Sequence, residues 1–261
     1  MSDGNGHEML TFGGHLEVLR QMLFRIIIVT GVIAVIVFLF KDTTFSILLA
    51  PSEFDFVTYR LLEQLMQAVG IDFSFEEYHV DLIATELSSQ FMTHISTAVY
   101  LGLLAASPYI MYELFRFVSP ALYANERRYS VRVTVVIYVL FVLGVLMTYF
   151  VLFPISFRFL GTYSVSGRVQ SLITLDSYIS TFLSLTLIMG VVFQLPVVVF
   201  FLGKLGVVNA EMLSKYRRHA LLLLMLVAAI ITPPDVMTLV LVSIPLYMLY
   251  ELSIQVLKWT R

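Results

Sequence analysis

The chain has 261 residues, of which 59% are apolar and only 13% charged, and its mean hydropathy is +0.90. Soluble domains carry about 25% charged residues, so these values exclude a water-soluble globule and point to a polytopic membrane protein. A net charge of −2 gives no electrostatic case for nucleic acid, and the lack of cysteine removes disulfides, thiolate nucleophiles and cysteine metal sites.

Met1 to Gly14 reads as a polar, glycine-rich, flexible tail. It has neither a basic start nor an apolar core, so no cleavable signal is expected and the first span inserts as an uncleaved anchor. From His15 to Arg25 the apolar residues Leu16, Leu19 and Leu23 recur at spacings of three and four, with Glu17, Arg20 and Gln21 between them. That is an amphipathic helix leading into the membrane. The uncharged run after it closes at Lys41 and Asp42, which places span one at about 22–40.

The connector from Lys41 to Ser89 holds nine acids against Lys41 and Arg60. Leu61, Leu62, Leu65, Met66 and Val69 predict a helix over Tyr59 to Val69, bounded by Pro51 and Gly70; Phe73 to Glu77 reads as a short strand or a turn. The connector is expected to cap the bundle on its extracytoplasmic side or to offer a docking surface to a partner. Span two is predicted at about 91–112, kinked near Pro108. A polar, basic connector follows over Phe115 to Arg128, with Phe115, Phe117 and Tyr123 suited to the water–lipid boundary.

Span three is predicted at about 133–153, ended by Pro154, and Ile155 to Ser177 as a loop carrying Arg158, Arg168 and Asp176. Span four, about 178–202, is interrupted by Gln194 and Pro196. Asn209 with Met212 fits a helix start. Span five, about 220–232, has 13 residues and so reaches about 20 Å across a hydrocarbon core of about 30 Å. Pro233, Pro234 and Asp235 turn the chain into span six, about 236–257, whose apolar part is shortened by Glu251. Glu251 is expected to snorkel or to pair with Lys258, and residues 258–261 form a cytoplasmic C-terminus. The fold class is all-α, a single six-span membrane domain over 15–257.

Lysine and arginine counts set the orientation. Arg20, Arg25, Arg116, Arg127, Arg128, Arg132, Lys204, Lys215, Arg217, Arg218, Lys258 and Arg261 share one side; Lys41, Arg60, Arg158 and Arg168 share the other. Both termini are therefore expected in the cytoplasm.

No HExxH, GxSxG or phosphate loop occurs, and the five histidines are scattered, so no catalytic site, cofactor or metal is expected. Glu126 reads either as a partner of Arg127 or Arg128, or as a receptor for a cationic ligand. Glu17 falls on the same membrane face. Two carboxylates close together repel unless a cation lies between them, and a guanidinium binds a carboxylate by two parallel bonds that lysine cannot copy. Gln194 reads either as an intramolecular hydrogen-bonder inside the bundle or as a docking point for another span, with Pro196 beside it. Asp235 reads as a turn or helix-start residue. A six-span ion or solute transporter with its site near Gln194 and Pro196 is the competing reading, though the spans carry almost none of the buried charge that ion paths use.

Four stretches carry a family resemblance: HLEVLR (His15 to Arg20), FRFVSPALYANERR (Phe115 to Arg128), FQLP (Phe193 to Pro196) and TPPD (Thr232 to Asp235). On these the chain resembles the TatC proteins, the polytopic core subunits of the twin-arginine protein translocase. The resemblance implies a receptor in the bacterial inner membrane that binds Arg-Arg signal peptides on its cytoplasmic face. It implies export of folded proteins on the proton gradient, with single-span TatA- and TatB-type partners, self-association and lipid contact. It carries the binding role to Glu126, Phe117 and Glu17, and the surrounding site to Arg20, Pro120, Leu122, Tyr123 and Arg127. Gln194, Pro196 and Asp235 are the expected intramembrane polar and partner-docking positions. Two departures stand out: Val18 occupies the family's usual glutamate position, with the acid one place earlier at Glu17, and Gln194 stands where a glutamate is common.

Overall fold

A computed structural model of the chain describes residues 12–71, 80–122, 127–164, 166 and 172–259, with only the backbone of 12–15, 118–122 and 127–132. Residues 1–11 of the N-terminal tail, Phe73 to Glu77, Tyr123 and Glu126 lie outside the described residues; residues 12–14, expected in the flexible tail, instead begin the first helix.

The described chain is helical almost throughout. In order come α1 (Phe12–Leu39), α2 (Lys41–Leu49), α3 (Val57–Ala68), α4 (Ser89–Ala105), α5 (Ser107–Leu122), α6 (Arg127–Met147), α7 (Phe153–Thr162), α8 (Leu175–Val192), α9 (Leu195–Lys204), α10 (Ala210–Lys215), α11 (Arg217–Ile231) and α12 (Val236–Trp259). Among the described residues four stretches are long and apolar enough to cross a bilayer: Leu16–Leu39, Val133–Thr162, Leu175–Lys204 and Val236–Trp259. The pair α4 and α5 makes a fifth if taken as one broken span. It bends by 55° immediately before Pro108, whose ring cannot donate to the carbonyl four residues back. The short helix α11 has 15 residues, about 22 Å of rise, below the hydrocarbon thickness of about 30 Å.

Proline positions explain where the observed elements differ from the predicted ones. Pro154 does not end span three. The helix passes through a π turn, Thr148–Leu152, and continues as α7, so Ile155 to Thr162 and Arg158 are helical rather than loop. Pro154 lacks the N–H that would pair with the Phe150 carbonyl. That oxygen instead accepts from the Thr58 hydroxyl of α3, and the Pro154 carbonyl accepts from Tyr59 Oη at 2.8 Å. The helix defect thus becomes the dock for the first connector. Tyr149 and Tyr178 complete it by donating to the carbonyls of Ile47 and Leu48, each at 2.8 Å.

The capping connector therefore packs on one end of the bundle, with Tyr59 buried and Phe56 against Tyr149 and Phe150. Gly70, at φ +82°, closes α3 with bonds from its own N–H to Gln67 and from Ile71 to Met66, each 3.0 Å. A two-residue parallel pair, Leu82–Ile83 with Ile173–Thr174, ties this connector to the start of α8; it is a small β element that periodicity did not reveal.

Three further expectations are corrected. Phe115 to Leu122 is not a loop but the last turns of α5, so only residues 123–126 separate α5 from α6. Phe115 is buried against Phe201 of α9, not at a boundary with water. Glu251 takes Arg217, not Lys258, as its hydrogen-bonded partner. The core runs through Leu152, Phe153, Tyr178, Phe182, Leu183, Met189, Val242, Leu246 and Ile254. Glycines allow the closest approaches: a Cβ on Gly102 would meet Ala34 of α1 at 2.8 Å, and one on Gly144 the Met189 carbonyl of α8 at 2.7 Å.

Candidate functional site

Toward the end of the bundle opposite the cap, α1, α5, α9 and α12 come together in pairs. Arg25 of α1 faces Glu113 of α5, Phe115 of α5 packs on Phe201 of α9, and Leu257 of α12 fills the space beside Gly203 of α9. Most of the predicted recognition residues belong to this end. Glu17 and Arg20, three apart on α1, form an exposed ion pair at 2.8 Å, and Gln21 donates to the same carboxylate oxygen at 3.1 Å. Glu17 is thus already held by its own helix. Phe117 is half-buried on α5. Pro120 and Leu122 lie in the last turns of α5 and Arg127 begins α6, so these three flank residues 123–126, where Tyr123 and Glu126 fall.

Glu113 escaped the sequence reading. It is the only charged side chain that is buried among the described residues. Tyr109 lies one turn earlier on the same face of α5, and the Arg25 guanidinium stands 3.8 Å away. Its sequence signal was there: Glu113 precedes Phe117 by four, so both lie on one helical face.

The other predicted positions serve the bundle itself. Asp235 caps α12, its carboxylate accepting from the Thr238 N–H at 2.6 Å. Asn209 caps α10 likewise, from Met212 at 2.7 Å. At Gln194 the end of α8 tightens, its N–H pairing with Val191 rather than Gly190. The side-chain amide takes up that slack, donating to Ile137 of α6 at 3.1 Å and to Gly190 at 3.4 Å. Its oxygen has no partner among the described residues. Pro196 opens α9 and lines an apolar groove of about 500 Å³ with Val136, Leu140, Phe200 and Leu252. Glu251, expected to snorkel or to pair with Lys258, instead accepts from Arg217 Nε at 2.7 Å and Nη2 at 2.9 Å, and from Tyr247 at 3.0 Å. This clasp fastens the short α11 to α12.

The arrangement has no nucleophile–base pair, and no metal-binding cluster occurs among the described residues. What it offers is a set of acids and aromatic groups on converging helix ends. Comparison with known proteins fits that pattern. Residues 14–245 match the family model described as Sec-independent protein translocase protein (TatC). A TatC of Blattabacterium sp. subsp. Periplaneta americana is 33% identical over 97% of this chain and 96% of its own length. TatC of Escherichia coli K12 is 33% identical over 92% of this chain and 85% of its own. A crystal structure of the twin-arginine translocase receptor TatC superposes with a TM-score of 0.74 at 32% identity, covering 95% of this chain and all of that one. An all-helical membrane-embedded bundle, matched along nearly its whole length in sequence and fold, makes this chain a member of the TatC family, a component of the Sec-independent protein translocase that works in complex with other Tat subunits.

Proposed function

We propose that this chain is the signal-receiving subunit of its translocase: it binds Arg-Arg signal peptides at its cytoplasmic face and organises export of folded proteins on the proton gradient. The observation that carries this reading is the convergence of α1 and α5 through Arg25 and Glu113, at the end of the bundle where α5 runs toward Glu126. It sets the buried acid Glu113 of α5 against α1, the helix that carries Glu17, and a guanidinium is the cation that a carboxylate selects over lysine by two parallel bonds. The close likeness to a structure described as a twin-arginine translocase receptor supports it.

In this reading Glu126 binds the arginine pair with help from Glu17. Phe117, Pro120, Leu122 and Tyr123 shape the apolar surroundings, and Arg20 and Arg127 set the local charge. The chain crosses the bacterial inner membrane six times with both termini cytoplasmic, α11 being the shortened fifth crossing. TatA- and TatB-type single-span partners gather at the thin rim that α11 leaves, with Gln194, Pro196 and Asp235 nearby. The transporter reading needs a midplane site for a substrate, and there the Gln194 NH2 is engaged with Ile137 and Gly190, which leaves a single neutral carbonyl oxygen.

The test is photo-crosslinking from position 126 and its neighbours to signal peptides in membranes, comparing Arg-Arg with Lys-Lys versions. A crosslink that requires Arg-Arg, and discrimination that disappears in Glu126→Ala, is the expected result. Discrimination retained in Glu126→Ala removes Glu126 from the role, and no crosslink to either peptide in correctly inserted protein overturns the reading.

A further inference from the structure

Glu113 is placed where a structural acid is hard to justify. A buried carboxylate is costly unless it is closely paired, yet its arginine is held at arm's length. The Glu113 side chain is 8% exposed and that of Arg25 52%, and the gap is 3.8 Å. A charge-assisted N–H···O bond closes to about 2.7–2.9 Å, the distances that Arg217 and Glu251 achieve in this same chain. Arg25 therefore keeps about half of its side chain outside the protein and makes no direct hydrogen bond to Glu113. A carboxylate can accept several such bonds.

Glu17, on α1, is a poorer receiver, because Arg20 and Gln21 already donate to it at 2.8 and 3.1 Å. Of the two acids, Glu113 has the more to gain from a new guanidinium. It lies one helical turn from Phe117, so a peptide arginine reaching it would lay its stem and neighbours along an aromatic group.

Resting on the receptor reading above, we propose that Glu113 is a carboxylate of the signal-recognition site and that Arg25 is its resident placeholder, displaced when a guanidinium of the signal peptide pairs with Glu113. Arg25 reaches Glu113 from another helix and about half of its side chain lies outside the protein, so it can turn away from Glu113 without unpacking the bundle. One guanidinium of the signal pairs with Glu113, which Arg25 occupies between cargoes. Lysine, a point charge without the planar fork, displaces a resident arginine poorly.

The experiment measures binding of a fluorescent Arg-Arg signal peptide, with a Lys-Lys control, to the full-length protein in lipid nanodiscs. Four proteins are compared: unaltered, Glu113→Gln, Arg25→Gln and the swap Arg25→Glu with Glu113→Arg. Glu113→Gln keeps shape and hydrogen bonding and is expected to weaken Arg-Arg binding about tenfold or more, as loss of a charged hydrogen bond does. Arg25→Gln is expected to move the other way, tightening Arg-Arg binding several-fold because the competitor is gone. It alters a half-exposed side chain, so its sign can be read even if the Glu113 variant folds poorly. The swap is expected to stay as weak as Glu113→Gln. A structural strut behaves differently: both single changes weaken binding and the swap restores it, and that result overturns the proposal. Unchanged binding in Glu113→Gln overturns it as well. Failure of the unaltered protein to prefer Arg-Arg overturns the receptor reading itself, a distinct outcome visible before any variant is compared.

Discussion

Arg217 and Glu251 meet through two hydrogen bonds at 2.7 and 2.9 Å, while Arg25 and Glu113 stop at 3.8 Å. Each pair joins two helices at the same end of the bundle, so the difference is one of construction. In the tight pair both side chains keep some contact with solvent, 43% and 27% exposed, and Tyr247 adds a third bond that fixes the carboxylate. Closing the pair costs little desolvation and gains a planar two-point fit. In the loose pair one partner is buried and the other lies half outside the protein. Among the described residues no third group fixes the Glu113 carboxylate with a short bond as Tyr247 fixes that of Glu251. One pair is a fastener and the other an exchangeable contact, and charge composition alone does not distinguish them.

The sharpest way to break this comparison is to remove the fastener. Glu251→Ala deletes three hydrogen bonds and leaves the Arg217 guanidinium without its carboxylate at the start of a 15-residue helix. A helix that short depends on its neighbours for position. The largest fall in thermal midpoint among these variants is expected here, with export activity lost alongside it, read by thermal unfolding of the purified protein and by a cargo export assay. An unchanged midpoint would mean α11 is held by its apolar contacts alone. Arg217→Lys is expected to fall between this variant and the unaltered protein: the charge survives, but the parallel two-bond geometry does not. If lysine behaves like arginine in both assays, the pair is a simple charge attraction and not a clasp.

The residues legible in the sequence were those whose role is local. Asn209 and Asp235 were read as helix-start or turn residues from their positions, and both cap helices. Gly70 bounds α3 as expected because the positive φ it supplies is a backbone requirement. Pro154 shows the limit. Its missing N–H was plain, and the inference that the helix stops there follows from chain chemistry alone. The outcome depended on Thr58, 92 residues from Phe150 in sequence, taking the freed carbonyl. Glu113 and Glu251 were obscure for the same reason: each looks like an ordinary acid near a span end until the helix that brings its arginine is known. Phe115 was taken for an interfacial ring because it begins a motif rich in charge, and only α9 shows it to be core.

The smallest expected effect sharpens the comparison most. Arg25→Gln should change folding stability by no more than about 1 kcal/mol, the usual worth of a pair with a solvent-exposed member. The remaining effect should depend on salt, because the screening length falls from about 10 Å at 0.1 M to about 3 Å at 1 M. An attraction across a 3.8 Å gap with no direct bond is more open to that screening than a closed pair. The midpoints of Arg25→Gln and the unaltered protein are therefore expected to converge as salt is raised. The gap between Glu251→Ala and the unaltered protein is expected to persist, because short hydrogen bonds leave no room for ions or water between the partners. If the Arg25 difference also persists in high salt, the contact is closer in the membrane than 3.8 Å, and Arg25 is a second fastener, not a placeholder.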